Sequence, residues 1–336
     1  MSAGTVLVAR MDSMGDVVLS GPAVRAAART ADRVVMLVSP RGAPVARLLP
    51  GVDDVLVWRC PWIDPRPSPV EREDVEHLVE RIADIGVDEA MILTSFHQSP
   101  LPLALLLRMA GVGRVAAISE DYPGSLLDVR HRVAQGLPEP ERALSLMVAA
   151  GHRPAPDDDG RLALTDSLPD TRGLTGPDGY VVVHVGADAP SRELPLELGA
   201  DVAASLSGRG HRVVVTGDDH DRATEVAADH ALNLAARTST AELADVLRRA
   251  RVLTVGNTGP AHLAAALRTP VVSLFAPVVP ASAWAPYKVD RRVLGDQDAP
   301  CAGTRARECP VPGHPCLNNV TTEDVLTAIE ELEDTE

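Results

Sequence analysis

A short segment near residue 260 limits the possible folds of this chain more than any other feature. Residues 257–262 read NTGPAH, and they stand between the apolar run 252–255 and the alanine-rich stretch 263–267. An apolar run, a glycine turn and an early proline predict a buried strand that passes directly into a helix. The start of such a helix presents backbone N–H groups that bind anions such as a diphosphate. The same pattern also fits an ordinary strand-to-helix connection of an α/β domain.

A second glycine turn lies near the N-terminus. Residues 10–16 read RMDSMGD, between the apolar run 6–9 and the helix-like stretch 17–25. This order places Asp16 at the carboxyl end of a first strand, where open α/β sheets bind their ligands. The alternative is that Asp16 caps the helix and favours its dipole.

Short β-branched runs alternate with helical stretches along the chain, as in parallel, doubly wound sheets. The expected strands are 5–9, 34–38, 54–58, 90–94, 115–118, 180–185, 212–216, 252–255 and 271–275. The expected helices lie near 17–29, 71–84, 100–110 and 140–150. Residues 151–179 are rich in Pro, Gly and Asp and predict a linker. A last helix over Thr322 to Glu333 is expected to pack back on the first half.

Composition narrows the class of protein. The 336 residues carry a formal net charge of −15, so we expect no nucleic-acid partner. No apolar run reaches the roughly 18 residues that a membrane span needs, and no signal-peptide pattern precedes the first strand. The sequence therefore predicts a cytoplasmic protein of two domains with no transmembrane segment.

Three segments resemble the signatures of glycosyltransferase family 9, the ADP-heptose:lipopolysaccharide heptosyltransferase family. Residues 6–25 match its opening strand, R-x-D-x-x-G-D turn and apolar helix. Residues 257–270 match D-T-G-x-x-H-L-A-A-A-x-x-x-P, except that Asn257 replaces the aspartate. Residues 181–195 resemble a strand followed by the family's G-A-S and K-R-W-P turns, with Arg192 at the lysine position. In this order the matches span nearly the whole chain.

The resemblance implies the α/β fold named GT-B, in which two Rossmann-like, doubly wound parallel-sheet domains face a central cleft. The expected acceptor-side domain is 1–165, the nucleotide-sugar donor domain is 176–320, and 321–336 form the C-terminal helix. The implied activity is inverting, metal-independent transfer of a sugar, heptose from ADP-heptose being favoured, to an acceptor hydroxyl. No cofactor is expected. The expected acceptor is a glycan or a secondary metabolite.

The resemblance also implies roles for individual residues. Asp16 matches the catalytic base, and general-base help of this kind is worth roughly 10²–10⁴ in rate. Arg192 keeps the positive charge of the family's lysine and offers a fork to phosphate oxygens. Asn257 both donates and accepts where a carboxylate only accepts, which leaves the donor sugar open. The expected donor-side residues are Gly186, Arg192, Gly217, Asn257, Thr258, Gly259, Pro260 and His262. The weaker acceptor-side candidates are Asp12, Ser13, Ser95, His97 and Gln98.

Other polar clusters were weighed for metal binding. The aspartates at 53–54, 157–159 and 218–219 stand in or beside loops without neighbouring ligands, so solvated loop carboxylates are the better interpretation. The set Cys301, Cys309, His314 and Cys316 has four possible zinc ligands but not the spacing of a common zinc ribbon. We therefore expect no metal site, with the cysteine loop left open. Two other functions also stay open, a sugar-nucleotide epimerase or hydrolase and a non-catalytic nucleotide-sugar binder.

Overall fold

The computed structural model describes residues 4–134 and 136–334, and it divides into two compact units between Thr165 and Asp166. We call these the first unit and the second unit. Each is built on one six-stranded parallel sheet. None of the helices in these described ranges has the length and apolar character needed to cross a bilayer.

The first unit alternates strands and helices. Its strands are β1 (Thr5–Arg10), β2 (Arg33–Val38), β3 (Asp54–Val57), β4 (Glu89–Ile92), β5 (Arg114–Ile118) and β6 (Val129–His131). Its helices are α1 (Met14–Leu19), α2 (Gly21–Ala28), α3 (Ala43–Ala46), α4 (Arg72–Ile85), α5 (Leu101–Met109) and α6 (Glu139–Ala150), with a short 3₁₀ turn at Gly124–Leu126. The sheet order is β3-β2-β1-β4-β5-β6. Because helices cover both faces, β1 is apolar throughout its middle, and 6–9 are fully buried.

The helix expected over 17–29 is broken in two. Ser20 ends α1, and α2 begins at the next residue with Pro22 in its first turn. Proline has no N–H to continue the hydrogen bonds of α1, so a new helix starts there. The hydroxyl of Ser20 donates to the carbonyl of Asp16, one turn earlier in α1, at 2.9 Å.

The second unit repeats the plan of the first. Its strands are β7 (Tyr180–His184), β8 (Val213–Thr216), β9 (Leu232–Asn233), β10 (Ala250–Gly256), β11 (Val271–Leu274) and β12 (Arg291–Leu294). Its helices are α7 (Arg172–Thr175), α8 (Leu196–Gly208), α9 (His220–Ala227), α10 (Thr240–Arg248), α11 (Gly259–Ala266), α12 (Ala281–Trp284), α13 (Pro315–Asn318) and α14 (Thr322–Glu333), with a 3₁₀ turn at Pro190–Arg192. The sheet order is β12-β11-β10-β7-β8-β9.

The strand order reverses beside the first strand of each sheet. In the first unit β1 lies between β2 and β4, and in the second β7 lies between β8 and β10. Ligands of open α/β sheets bind at the carboxyl ends of the strands at such a reversal. The ends of β1 and β4, and those of β7 and β10, are therefore the places to look for a site.

The C-terminal helix α14 is part of the second unit. Its apolar side chains Val325, Leu326, Ile329 and Leu332 are buried in the core of the second unit. It packs on α8 and on the strands β10 to β12 of that unit. Its apolar stripe therefore completes the cover of the second sheet.

Candidate active site

Arg10, the last residue of β1, is the hub of the carboxyl edge of the first sheet. Its side chain is only 2% exposed, and it lies among three carboxylates. Nη2 donates to Asp16 Oδ1 at 2.8 Å and to Ser95 Oγ at 3.0 Å, and Nη1 donates to Glu139 Oε2 at 3.3 Å. Burial alone would lower the pKa of Arg10, but the three carboxylates outweigh it and raise the pKa. A positive charge is thus fixed at the strand end.

Asp16 stands in the first turn of α1 but does not cap it. The N-cap residue is Ser13, whose hydroxyl makes no bond to the helix N–H groups and instead donates to Asp16 Oδ2 at 3.1 Å. The other carboxylate oxygen accepts from Arg10. Asp16 keeps 19% of its side chain exposed at this edge. The carboxylate is thus held by side chains at a partly exposed position.

Asp12 occupies a less favourable place in the same cluster. Its Oδ1 accepts from Gln98 Nε2 at 2.6 Å, and Gln98 in turn accepts from the backbone N–H of Ser95 at 3.0 Å. Its Oδ2 lies 2.9 Å from Arg10 Nε, at an angle that makes no hydrogen bond among the described residues. Burial, with some repulsion from Asp16 and Glu139, raises the pKa of Asp12 to about 6, although Arg10 opposes this.

Two members of this cluster were not expected from the sequence. Glu139 opens α6 and is 3% exposed, and Arg142, one turn further, lies 3.9 Å from its carboxylate and donates to the carbonyl of Thr94. Glu139 is 129 positions from Arg10, so no local pattern joins them. Arg10 itself was visible as the first letter of the R-x-D-x-x-G-D motif.

His97, another acceptor-side candidate, lies in the loop between β4 and α5 and is exposed. Its ring packs edge-on against Phe96, with centroids 5.5 Å apart, and both rings face solvent. The other four acceptor-side candidates belong to the network around Arg10. Asp12 and Ser95 contact Arg10 directly. Ser13 and Gln98 contact it through Asp16 and Asp12.

In the second unit, Gly256 brings two chain segments together at the carboxyl edge. A Cβ added there would lie 2.1 Å from the carbonyl oxygen of Arg192 and 3.1 Å from the backbone nitrogen of Leu194. Only glycine allows this approach. The turn that carries Arg192 therefore lies directly against the end of β10, beside the segment 257–262. This glycine was not among the residues predicted for the site.

Gly217 and Gly186 also shape this edge. A Cβ on Gly217, just after β8, would lie 2.6 Å from the carbonyl oxygen of Val185. Gly186 has a φ of +86°, a left-handed conformation that favours glycine, with open space around it. Both predicted glycines thus stand where the chain leaves the central strands of the sheet.

The helix α11 begins as the sequence predicted, with Thr258 at the N-cap and Pro260 in the first turn. The Thr258 hydroxyl does not cap the helix, and its backbone N–H donates to the carbonyl of Gly256 at 2.9 Å. His262 lies in the same turn and is buried. With a hydroxyl and the start of a helix at one point, this edge is suited to an anion.

Asn257 uses its amide on the protein backbone. Nδ2 donates to the carbonyl of Ala276 at 3.4 Å, and Oδ1 accepts from the N–H of the same residue at 3.3 Å. An aspartate accepts from the N–H but cannot donate to the carbonyl. The departure from the family signature therefore has a local structural reason.

The Arg192 turn is supported by the loop after β12. Ser191 donates through its N–H to the carbonyl of Arg307 at 2.9 Å and through its hydroxyl to that of Ala306 at 2.6 Å. Arg307 in turn donates to the carbonyl of Asp188. Arg192 is half-buried. The cysteine-bearing segment that begins at 301 thus serves as a backing for this turn.

His184 ends β7 at the centre of this edge and was not predicted. Its Nδ1 lies 2.9 Å from the hydroxyl of Thr216, and burial lowers its pKa to about 4. The imidazole is therefore neutral near pH 7, so it adds no charge to the edge. The sequence signal was present, since a histidine ended a run of valines.

The possible zinc ligands are placed differently from one another. Cys301 and Cys316 are buried in the core of the second unit, and Cys309 is partly exposed. Burial, with the neighbouring Cys301 and Cys309, raises the pKa of Cys316 to about 11. Within the described residues, no group of three or more His, Cys, Asp or Glu side chains is arranged to hold a metal ion.

Comparison with known proteins extends the sequence resemblance. The family model of glycosyltransferase family 9 (heptosyltransferase) matches residues 98–314, more than half of the chain. Lipopolysaccharide heptosyltransferase 1 of Pseudomonas aeruginosa is 29% identical over 324 residues, which cover 90% of this chain and 87% of that protein.

Solved structures of similar fold cover nearly the entire chain. A glycosyl transferase family 9 protein from Veillonella parvula has a TM-score of 0.80 at 15% identity, over 100% of this chain and 99% of that one. The ADP-heptose lps heptosyltransferase II of E. coli has a TM-score of 0.75 at 20% identity, over 98% and 99%. The E. coli heptosyltransferase WaaC, solved with ADP-2-deoxy-2-fluoro heptose, has a TM-score of 0.74 at 21% identity, over 97% and 99%. The fold is therefore GT-B, and the chain is a glycosyltransferase that belongs to glycosyltransferase family 9.

Proposed function

We propose that this protein transfers a heptose from ADP-heptose to an acceptor hydroxyl, with inversion at the anomeric carbon, Asp16 as general base and no metal ion. The observation that carries the proposal is Asp16 itself. It is a carboxylate in the first turn of α1, held by the buried arginine that ends β1 and still 19% exposed. General bases must combine fixed geometry with access to the proton they take.

In the proposed step, the acceptor oxygen attacks the anomeric carbon as Asp16 takes its proton. The bond from that carbon to the ADP oxygen breaks on the opposite face, so a single displacement inverts the centre. A hydroxyl has a pKa far above neutrality, and removal of its proton as the bond forms typically gives roughly 10²–10⁴ in rate.

The leaving ADP gains negative charge as the bond breaks. The proposal assigns its stabilisation to Arg192, to the Thr258 hydroxyl and to the N–H of Gly259 at the start of α11. Fixed donors of this kind supply a few kcal/mol each, roughly 3 for one oxyanion-hole donor. Gly186, Gly217 and Gly256 keep side chains away from the same edge. With the charge met by the protein, the reaction needs no divalent cation.

The choice of ADP-heptose is supported by the relatives. The Pseudomonas aeruginosa relative is a lipopolysaccharide heptosyltransferase by name, and an E. coli neighbour was solved with an ADP-heptose analogue. The Asn257 departure does not argue against this donor, because the amide is bound to the backbone of Ala276. For the acceptor we propose a glycan, as in the relative.

Substitution of the base tests the proposal. Asp16→Asn keeps the size of the side chain and removes its basicity, so kcat should fall at least roughly 100-fold. The binding of ADP, measured by calorimetry, should change less than twofold, because the donor groups are in the second unit. Asp221→Asn, another aspartate in the first turn of a helix, is the matched control and should leave kcat unchanged.

Two results would count against the proposal. Near-normal turnover by Asp16→Asn would leave Asp16 without a catalytic role. Conversion of the nucleotide sugar at the full rate without acceptor would instead identify an epimerase or hydrolase, and binding without any turnover would identify a nucleotide-sugar binder.

A further inference from the structure

We propose that Arg10 is a positioning residue for this transfer, which fixes the orientation of the Asp16 carboxylate, and that Glu139 fixes Arg10 in turn. The inference rests on the proposed function, since it takes Asp16 as the base. Neither Arg10 nor Glu139 is placed to reach a substrate, because their side chains are only 2% and 3% exposed.

The guanidinium of Arg10 has a fixed geometry. It is planar, and its N–H groups point in fixed directions, unlike those of a lysine ammonium. Nη2 reaches both Asp16 and Ser95, which follows β4, while Nη1 points to Glu139 at the start of α6. Three parts of the first unit therefore fix one rigid group at the end of β1.

Glu139 is itself held in place by two arginines. Its carboxylate is shared by Arg10 at 3.3 Å and Arg142 at 3.9 Å, and Arg142 also donates to the carbonyl of Thr94. The contact from α6 thus leads back to the end of β4. Breaking any one of these contacts leaves a buried charge without part of its compensation, which favours a single arrangement of the network.

The fixed position of Arg10 fixes the orientation of the Asp16 carboxylate. Arg10 donates to Oδ1 at 2.8 Å and Ser13 donates to Oδ2 at 3.1 Å, so bonds to both oxygens fix the plane of the carboxylate. A carboxylate free to rotate would spend part of its time turned away from the acceptor. Errors of about 1 Å in the placement of a reacting group cost roughly 100-fold in rate. Arg10 also offsets the repulsion between the charges of Asp12 and Asp16.

The test is Arg10→Lys, which keeps the charge and removes the fork. We expect kcat to fall roughly 10-fold to 100-fold, while KM for the donor changes less than twofold. Arg25→Lys is the matched control. Arg25 holds Asp158 with two bonds of 2.8 Å in the same unit, outside this edge, and its replacement should leave kcat unchanged.

A double-mutant cycle separates positioning from a structural role. If Arg10 acts through Asp16, Arg10→Lys should slow the Asp16→Asn enzyme less than twofold, because the group that it orients no longer takes a proton. If Arg10 only supports the fold, its effect should multiply that of Asp16→Asn. Multiplication of the two effects would overturn the inference.

Glu139→Gln keeps the test decisive if Arg10→Lys does not fold. The change keeps the size of the side chain and removes the charge that fixes Nη1, so kcat should fall about threefold with donor KM unchanged. An unchanged kcat would overturn the inference. A large effect of Asp16→Asn with a normal Arg10→Lys enzyme would refute the positioning role alone, whereas a normal Asp16→Asn enzyme would refute the proposed function as well.

Discussion

Two buried aspartates, one in each unit, show how differently this chain treats a charge. Asp12, in the first unit, lies beside Arg10 without a hydrogen bond from it, and its pKa is raised to about 6 mainly by burial. Asp245, in the second unit, accepts 2.8 Å bonds from the N–H and hydroxyl of Thr171 and further bonds from Arg248 and Arg249. Burial alone would raise the pKa of Asp245, but these bonds lower it to about 2.

The difference separates a structural anchor from a candidate site. Asp245 is fully buried on α10 and fastens the segment around Thr171 to that helix, so its partners satisfy it completely. Asp12 shares one arginine with Asp16 and Glu139, and its Oδ2 accepts no hydrogen bond among the described residues. Unfavourable electrostatics of this kind persist mainly where function requires them. The contrast makes opposite predictions for substitutions that are chemically alike.

The largest change in stability is expected for substitution of Asp245, the structural anchor. Asp245→Asn removes the charge that two arginines share and should lower the free energy of unfolding by about 3 kcal/mol. Urea denaturation followed by circular dichroism would measure it, with the exposed Asp201→Asn as control. The kcat of the remaining folded enzyme should stay normal. A loss below about 0.5 kcal/mol would show that the bonds of Asp245 do not support the fold.

Substitution of Asp12 should raise the free energy of unfolding, whereas substitution of Asp245 lowers it. The folded-state pKa of about 6 exceeds the ordinary value of 3.8, so the folded state binds more protons between these values. The contribution of Asp12 to stability is therefore lost as pH rises from 4 to 6, by roughly 2–3 kcal/mol. Asp12→Asn removes this loss, so the variant should gain stability on the wild type between pH 4 and pH 7.

Urea denaturation of wild type and Asp12→Asn at pH 4 and at pH 7 checks that prediction. Asp245→Asn serves as the comparison. Because the pKa of Asp245 is lowered to about 2, its contribution is present above pH 4 and lost only as pH falls toward 2. Wild type and Asp245→Asn should therefore differ by a constant amount between pH 4 and pH 7. Parallel curves for wild type and Asp12→Asn would contradict the raised pKa of Asp12.

A third substitution compares the anchor with the donor-side edge. Arg192→Ala should lower both kcat and donor affinity, with a combined free-energy cost of about 2 kcal/mol. The charge-assisted bonds to the diphosphate strengthen as the leaving group gains charge, so their loss affects both quantities. Arg192→Lys, the residue of the family, should recover most of both. The unfolding free energy should change by less than about 0.5 kcal/mol. An Arg192→Ala protein that unfolds, or that turns over donor normally, would remove Arg192 from the proposed diphosphate site.

The strands inside each sheet could be predicted from the sequence, whereas three of the four edge strands could not. All nine predicted strands exist. Eight of them lie inside a sheet, where strands buried on both faces are continuous apolar runs, and the ninth is the edge strand β3. The three missed strands, β6, β9 and β12, lie at sheet edges and read VRH, LN and RRVL. Their residues are partly or fully exposed, so neither an apolar run nor a strict alternation marks them.

The candidate site shows the same limit. Asp12, Asp16, Ser95 and Gln98 were predicted because motifs and strand ends are local features of a sequence. Glu139 was missed because its contact with Arg10 joins residues 129 positions apart. The bond between Asn257 and the backbone of Ala276 depends on the packing of two parallel strands in the same way. Tertiary contacts between polar side chains leave no periodic trace in a single sequence.

The smallest effect is expected from removal of divalent metal. If Arg192 and the start of α11 meet the charge of the diphosphate, saturating EDTA should leave the transfer rate within about twofold, whereas loss of a catalytic Mg²⁺ would cost several kcal/mol. The same assay on Arg192→Ala sharpens the comparison. A metal that substitutes for the missing charge would make this variant, and not the wild type, respond to added Mg²⁺. Strong inhibition of the wild type by EDTA, reversed by Mg²⁺ or Mn²⁺, would show that the protein does not neutralise the leaving group by itself, and Arg192 would then be a secondary contact.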